Sequence, residues 1–302
     1  MKKIKFLLVS LVAAVLVGCG TTKTVPITGR QQSLMVSDGE VLSLSTQQYQ
    51  EFMKTAKLST NATNTAMVKR VGEKLATAVT NYMKSAGLSE DLQYYNWQFN
   101  LVQNNQVNAW CMPGGLICVY EGLLPVTQDE ASLAIVLGHE IAHAVARHSA
   151  EQMSTQMKQQ YGLQIGTAIA GAVGVGATAQ SIGQWALSQQ FNFMNLKYSR
   201  SHESEADHLG LIFAAMAGYD PQVAVPFWQR MAAKNGNSQQ NDLYSDHPSD
   251  ATRIKQIQEW MPEALRYYTP PTTTTTTAKK ATTTKKTTTK KTTTKKTTTK
   301  KK

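Results

Sequence analysis

The sequence predicts a mostly helical α+β fold with a small β-hairpin region, and three observations carry that prediction. Apolar residues recur at helical spacing at about 63 to 86, 128 to 160, 203 to 217 and 249 to 260. The stretch "FNLVQNNQVNAWCMPGGLICVYEG" has alternating and β-branched residues around Pro113, Gly114 and Gly115, which reads as a hairpin. After "RYYTPP" the composition changes to threonine and lysine, leaving one domain of roughly 240 residues to build a core. The expected organisation is residues 1–18 a leader, 19–60 an N-terminal segment, 61–268 the folded domain and 269–302 a disordered tail. Outside the tail the sequence has no internal repeat.

The chain opens with "MKKIKFLLVSLVAAVLVGCG", lysines at 2, 3 and 5 before an apolar run from Phe6 to Val17. That run is too short for a spanning helix of about 20 residues and reads as a signal peptide. "LVGC" looks like a bacterial lipobox, making Cys19 the lipidated first residue of the mature chain. Gly20 follows, not aspartate, which by the usual sorting rule points to the outer membrane, on its periplasmic face. The membrane is then a partner through acyl chains, each buried CH₂ contributing about 0.8 kcal/mol.

In the hairpin region, a two-residue loop at Gly114 and Gly115 would set Cys111 and Cys118 opposite each other, near enough for a disulfide. Pro113 can distort that register, in which case two buried thiols result. An edge strand here would offer main-chain groups to an extended peptide, or serve as a purely structural edge.

The helix that follows carries "AIVLGHEIAHAVARHSAEQ". Thr127 with Glu130 reads as a capping box starting it near Gln128. His139 and His143, four apart, share one face and can hold one ion, with Glu140 placed as a base beside it. The pattern is short enough to arise by chance on an amphipathic helix, so a third ligand is required. The continuation with a glycine and a third histidine fails, because Ala146 and Ser149 occupy those positions. His148 is one residue out of step and reads as a surface histidine or as one behind the ligands.

Residues 162–188 are rich in small and apolar residues, too short in apolar core for a membrane span, and read as packed helices, or as a membrane-touching or lid element. Beyond them "KYSRSHESEADHLGLIFAAMAGYD" reads as a second helix with Glu203 and Asp207 four apart. One can bind metal while the other fixes a ligand histidine, and Glu205 points elsewhere. His202 and His208 lie off that face and read as bystanders.

The tail repeats "TTTKK" and holds eleven lysines and no acids beyond Tyr268, equal to the whole formal charge of +11. The high pI therefore describes the tail and not the fold, and no nucleic-acid partner is implied. A cationic tail can meet anionic envelope polymers or stay merely solvated.

"HEIAH" followed by "SRSHESEAD" resembles the HtpX, BepA and LoiP type of zinc metallopeptidases, family forty-eight of the metallo class. "VPITGRQQSLMVS", "NAWCMPGGLICVYEGLL" and "HPSDATRI" resemble further stretches of its periplasmic lipoprotein branch, so that the likeness covers roughly residues 24 to 265. The resemblance implies a zincin-like domain binding one Zn²⁺ through His139, His143 and Glu203, with Glu140 as general base and Asp207 behind the ligands. His247, in the family's HP motif, becomes an autoinhibitory fourth ligand, a transition-state donor or a loop cap; Arg253 becomes an oxyanion stabiliser or a structural ion pair. The expected activity is endopeptidase cleavage of misfolded or unassembled envelope proteins. A latent metal-stabilised chaperone or scaffold, and a wall-binding lipoprotein led by its tail, are the competing expectations.

Overall fold

The computed structural model describes residues 21–171, 188–234 and 251–270. Cys19 and the leader, His247, most of the tail and the second half of the small-residue stretch lie outside the described residues. The chain begins with an antiparallel pair, β1 (Thr21–Thr24) and β2 (Gln31–Leu34), Thr21 opposite Leu34. Helix α1 (Asp38–Thr55) follows, with a capping box between Ser37 and Glu40 closing two of its open backbone donors. Helix α2 (Ala62–Ser85) is capped by Asn61 and buries Val68, Val71, Leu75 and Val79 along one stripe.

A three-stranded sheet has the order β3-β5-β4. Strand β3 (Gln98–Val102) runs parallel to β5 (Leu116–Tyr120), and β4 (Ala109–Met112) pairs antiparallel with β5. Every residue of β4 and β5 is buried. Both faces of the sheet are therefore covered, which is why these strands read as continuous apolar runs. Cys111, Ile117 and Val119 point into one core with Val71, Leu75, Leu137, Ile212, Phe213 and Trp228. Trp110, Met112, Leu116 and Cys118 point into a second with Leu34, Val41, Met153 and Phe191.

Of the two expectations for Cys111 and Cys118, a disulfide or two buried thiols, this register matches the thiols. Met112 pairs with Leu116, so the loop has three residues, Pro113 to Gly115, and Cys111 stands opposite Ile117 while Cys118 stands opposite Trp110. A slip of one residue turns a side chain to the other face. The two cysteines are free, buried, and on opposite sides of the sheet.

A short helix α3 (Leu124–Thr127) precedes α4 (Glu130–Val145), whose N-cap is Asp129, accepting from the Ser132 amide. The capping box expected at Thr127 is therefore absent, because Thr127 ends the previous helix and Gln128 has a positive φ of 70°. Nor is 128 to 160 one helix. Arg147 adopts a left-handed φ of 55°, and a new helix, α5 (His148–Gly171), starts beyond it. A left-handed non-glycine residue costs about 1–2 kcal/mol; here the buried Arg147 guanidinium is held by Asp38 at 2.8 Å and Asp91 at 2.8 Å, which offsets it. Helices α6 (Arg200–Met216), α7 (Ala224–Lys234) and α8 (Ala251–Ala264) complete the chain.

Candidate metal centre

Helices α4 and α6 approach most closely where two glycines meet. A Cβ on Gly138 would lie 2.6 Å from the Gly210 carbonyl oxygen, and one on Gly210 would lie 2.6 Å from the His139 amide nitrogen. Only glycine permits this backbone contact, and it sets His139 and His143 of α4 against Glu203 and Asp207 of α6.

His139 Nε2 and His143 Nε2 are 3.0 Å apart, and the Glu203 carboxylate oxygens lie 3.5 Å from the first and 3.4 Å from the second. Four-coordinate zinc with N and O ligands at about 2.0–2.2 Å requires donor separations of about 3.3–3.5 Å. The two imidazole–carboxylate distances fall at that spacing, and the imidazole pair at 3.0 Å lies just inside it. His139 Nδ1 donates to Asp207 Oδ1 at 2.9 Å, which reserves Nε2 as the nitrogen for a metal. A cation between the two Nε2 atoms would take the place of a ring proton there. Three protein ligands leave a fourth position, as in catalytic zinc sites.

The electrostatics follow the same arrangement. Burial alone would press the His139 ring down, but the hydrogen bonds it donates to Asp207 and Glu203 outweigh it and raise it to about 9 in the metal-free site. His143 is held well below the usual imidazole range, first by burial and then by the neighbouring rings. Both histidines are nearly sealed, at 2 % and 1 % exposure, and Glu140 is at 3 %.

Glu140 lines a narrow cleft with Asn108, Ala109, Trp110 and Cys111 on the β4 side and Phe193, Met194, Leu196 and Tyr198 from the segment before α6. Strands β3 and β4 both end the sheet, and β4 is the edge strand that lines this cleft. Tyr198 stacks on the His143 ring at 4.0 Å and shares a hydrogen bond with Ser149 at 2.7 Å. Sequence reasoning missed this aromatic wall, since nothing local in "NLKYSR" marks it.

Arg253 is drawn into the site as an ion pair. Its Nη2 donates to Asp207 at 2.5 Å, its Nη1 lies 3.8 Å from Glu203, and the guanidinium sits 3.5 Å over the Trp228 ring. Of the two expectations for Arg253 this geometry matches the ion pair. His148 is not on the surface: it is fully buried, 2.9 Å from His143 Nδ1 and 2.9 Å from Glu205 Oε2. On a continuous helix His148 would fall out of step with His143, whereas the break at Arg147 returns it beneath His143. His202 stacks on His148 and pairs with Glu151, and His208 pairs with Glu263, so neither faces the cluster.

Among the described residues His139, His143 and Glu203 are the group able to hold a metal ion. The profile of peptidase family M48 matches residues 62–261.

The chain belongs to peptidase family M48.

Within that family it is 32% identical over 170 residues to the mitochondrial metalloendopeptidase OMA1 of Schizosaccharomyces pombe, covering 56% of this chain and 48% of that protein. It is 30% identical over 245 residues to the human mitochondrial metalloendopeptidase OMA1, covering 80% of this chain and 46% of the human protein. It is 27% identical over 266 residues to the Escherichia coli metalloprotease LoiP, covering 86% of this chain and 97% of LoiP. The chain thus spans about half the length of the mitochondrial relatives it matches. The M48 match includes His139, Glu140, His143 and Glu203.

Proposed function

We propose that this chain is a zinc-dependent endopeptidase that hydrolyses peptide bonds in misfolded or unassembled cell-envelope proteins. The observation that carries the activity is the spacing of His139, His143 and Glu203, with Glu140 on the next position of the same helix. When bound, zinc lowers the pKa of water to about 7 and polarises a carbonyl oxygen. Glu140 accepts the proton of the attacking water and then delivers it to the leaving amine. Asp207 holds His139 in the ligating tautomer, and Arg253 keeps Asp207 and Glu203 in place. Main-chain groups along the outer edge of β4 align an extended substrate, a mode that favours unfolded segments over particular side chains.

The envelope location rests on the lipobox at Cys19 and on the match to LoiP along 97% of its length. No helix among the described residues is long and apolar enough to cross a membrane. Attachment is assigned to Cys19 on the lipobox alone. The burial of the ligands beneath Phe193 to Tyr198 supports a second reading, a latent metal-stabilised chaperone or scaffold.

One experiment separates the two. Zinc content and casein cleavage are measured for the mature chain and for Glu140→Gln, Glu203→Ala and His247→Ala. The peptidase reading expects Glu140→Gln to keep zinc and lose cleavage and Glu203→Ala to lose zinc. A gain of cleavage in His247→Ala would assign His247 as a plug. Zinc binding without cleavage in every form would favour the scaffold.

A further inference from the structure

Beside the metal cluster lies a polar network that the mechanism above does not use, and one end of it is the "TGR" of the N-terminal stretch. Arg30, on the loop leading into β2, donates from Nε and Nη2 to Glu205 Oε2 at 2.9 and 2.7 Å, and from Nη1 and Nη2 to Glu151 at 2.8 and 2.8 Å. Thr28 Oγ1 donates to the other Glu205 oxygen at 2.6 Å. Glu205 is thereby fixed as an acceptor on both oxygens.

The direction of every further bond follows. A carboxylate only accepts, so His148 Nε2, 2.9 Å from Glu205 Oε2, carries a hydrogen. The other nitrogen of a neutral ring is then an acceptor, and it lies 2.9 Å from His143 Nδ1, which must donate. A hydrogen on His143 Nδ1 leaves the lone pair on Nε2, the atom aimed at His139 and Glu203. Reversing any one bond would put the hydrogen on His143 Nε2 and remove a ligand. His139 is oriented by a carboxylate directly; His143 is oriented by a carboxylate one imidazole away.

We propose that His148 and Glu205 are positioning residues for the metal ligand His143, and that Arg30 of the N-terminal hairpin holds Glu205 in that role. This rests on the zinc reading of the site, and it makes metal affinity depend on the docking of the segment nearest the membrane anchor.

The test is zinc affinity by competition with a chromogenic chelator, with the melting temperature of the metal-free protein recorded alongside. Residues that orient metal ligands typically change affinity about 10–100-fold. His148→Phe fills the space without either nitrogen and is expected to weaken zinc within that range. His148→Gln offers one acceptor and one donor and should recover most of the loss. Glu205→Ala should weaken zinc like His148→Phe, Glu205→Gln, whose amide oxygen still accepts, should weaken it less, and Arg30→Ala should give a smaller loss in the same direction. Met153→Ala, a cavity variant in the second core, reports what destabilisation alone does.

A folded His148→Phe that holds zinc within threefold of the parent overturns the proposal. So does an equal loss in His148→Gln and His148→Phe, or a loss in Met153→Ala as large as in Glu205→Ala. Unchanged affinity in Arg30→Ala overturns the part assigned to the hairpin. If the parent chain binds no zinc, the functional reading itself fails, an outcome seen before any variant is compared.

Discussion

Replacing Gly210 with alanine tests whether the α4–α6 contact builds the metal site. The added methyl would lie 2.6 Å from the His139 amide nitrogen and 2.8 Å from the Gly138 carbonyl carbon. Both neighbours are backbone, so no side chain can rotate away. Ordinary contact needs about 3.5 Å, so the helices must part by about 0.9 Å. Overpacking of this kind costs about 1–3 kcal/mol, while alanine in a helix interior recovers up to about 1 kcal/mol over glycine. The net destabilisation is then about 0–3 kcal/mol, which at about 2–4 °C per kcal/mol lowers the melting temperature by no more than about 12 °C. The ligands suffer more, because the displacement separates His139 and His143 from Glu203 and exceeds the roughly 0.5 Å that a functional constellation tolerates. Gly210→Ala is therefore expected to fold, to lose more than tenfold in zinc affinity, and to lose casein cleavage with it. Calorimetry of the metal-free protein and chelator competition measure the two effects separately. Parental zinc affinity in Gly210→Ala would refute the argument that this contact sets the ligand spacing.

Three further outcomes are expected. Removing zinc with a chelator should lower the melting temperature, and adding zinc back should raise it with concentration, the added stability reaching about 2.7 kcal/mol at one hundred times the dissociation constant; a melting temperature indifferent to zinc would count against the site. Glu205, despite the cost of burial, is held down to about 2 by His148, Arg30 and Thr28. Its contribution, up to about 3 kcal/mol, is present above its unfolded value near 4.5 and is lost as pH falls towards 2. The stability gap between the metal-free parent and Glu205→Gln should therefore close between about pH 5 and pH 2, and a pH-independent gap would contradict the assignment. Arg253→Ala breaks a buried ion pair and should cost about 3–5 kcal/mol, read as a fall in chemical-denaturation midpoint. Arg253→Lys should rescue little of it, because one ammonium cannot reproduce the planar fork.

Much of the site was legible before the structure because its chemistry is periodic. His139 and His143 share a helix face, as do Glu203 and Asp207, and the long helices announced themselves by their apolar stripes. What escaped notice was governed by single backbone angles or by contacts distant in sequence. Nothing in "VARHSA" marks Arg147 as left-handed; its partners Asp38 and Asp91 stabilise that turn from far along the chain. Without the turn, His148 cannot be placed, and without His148 the use of Glu205 and Arg30 is invisible. The hairpin was recognised but its loop was counted one residue short, and that single residue decided the fate of both cysteines. A glycine directly before the first ligand and another seven positions beyond Glu203 were the available hint that the two helices touch.

The placement of Cys111 and Cys118 has a consequence for where such a domain can operate. The sheet stands between the two sulfurs, so no loop motion or side-chain rotation can join them; only melting of the strands would. Burial also pushes both thiols up, Cys118 to about 12, which keeps them from acting as thiolates towards glutathione or an oxidase. The domain's covalent structure is then the same in a reducing lumen and an oxidising one. A fold of this kind can be moved between redox environments without a change in its crosslinks.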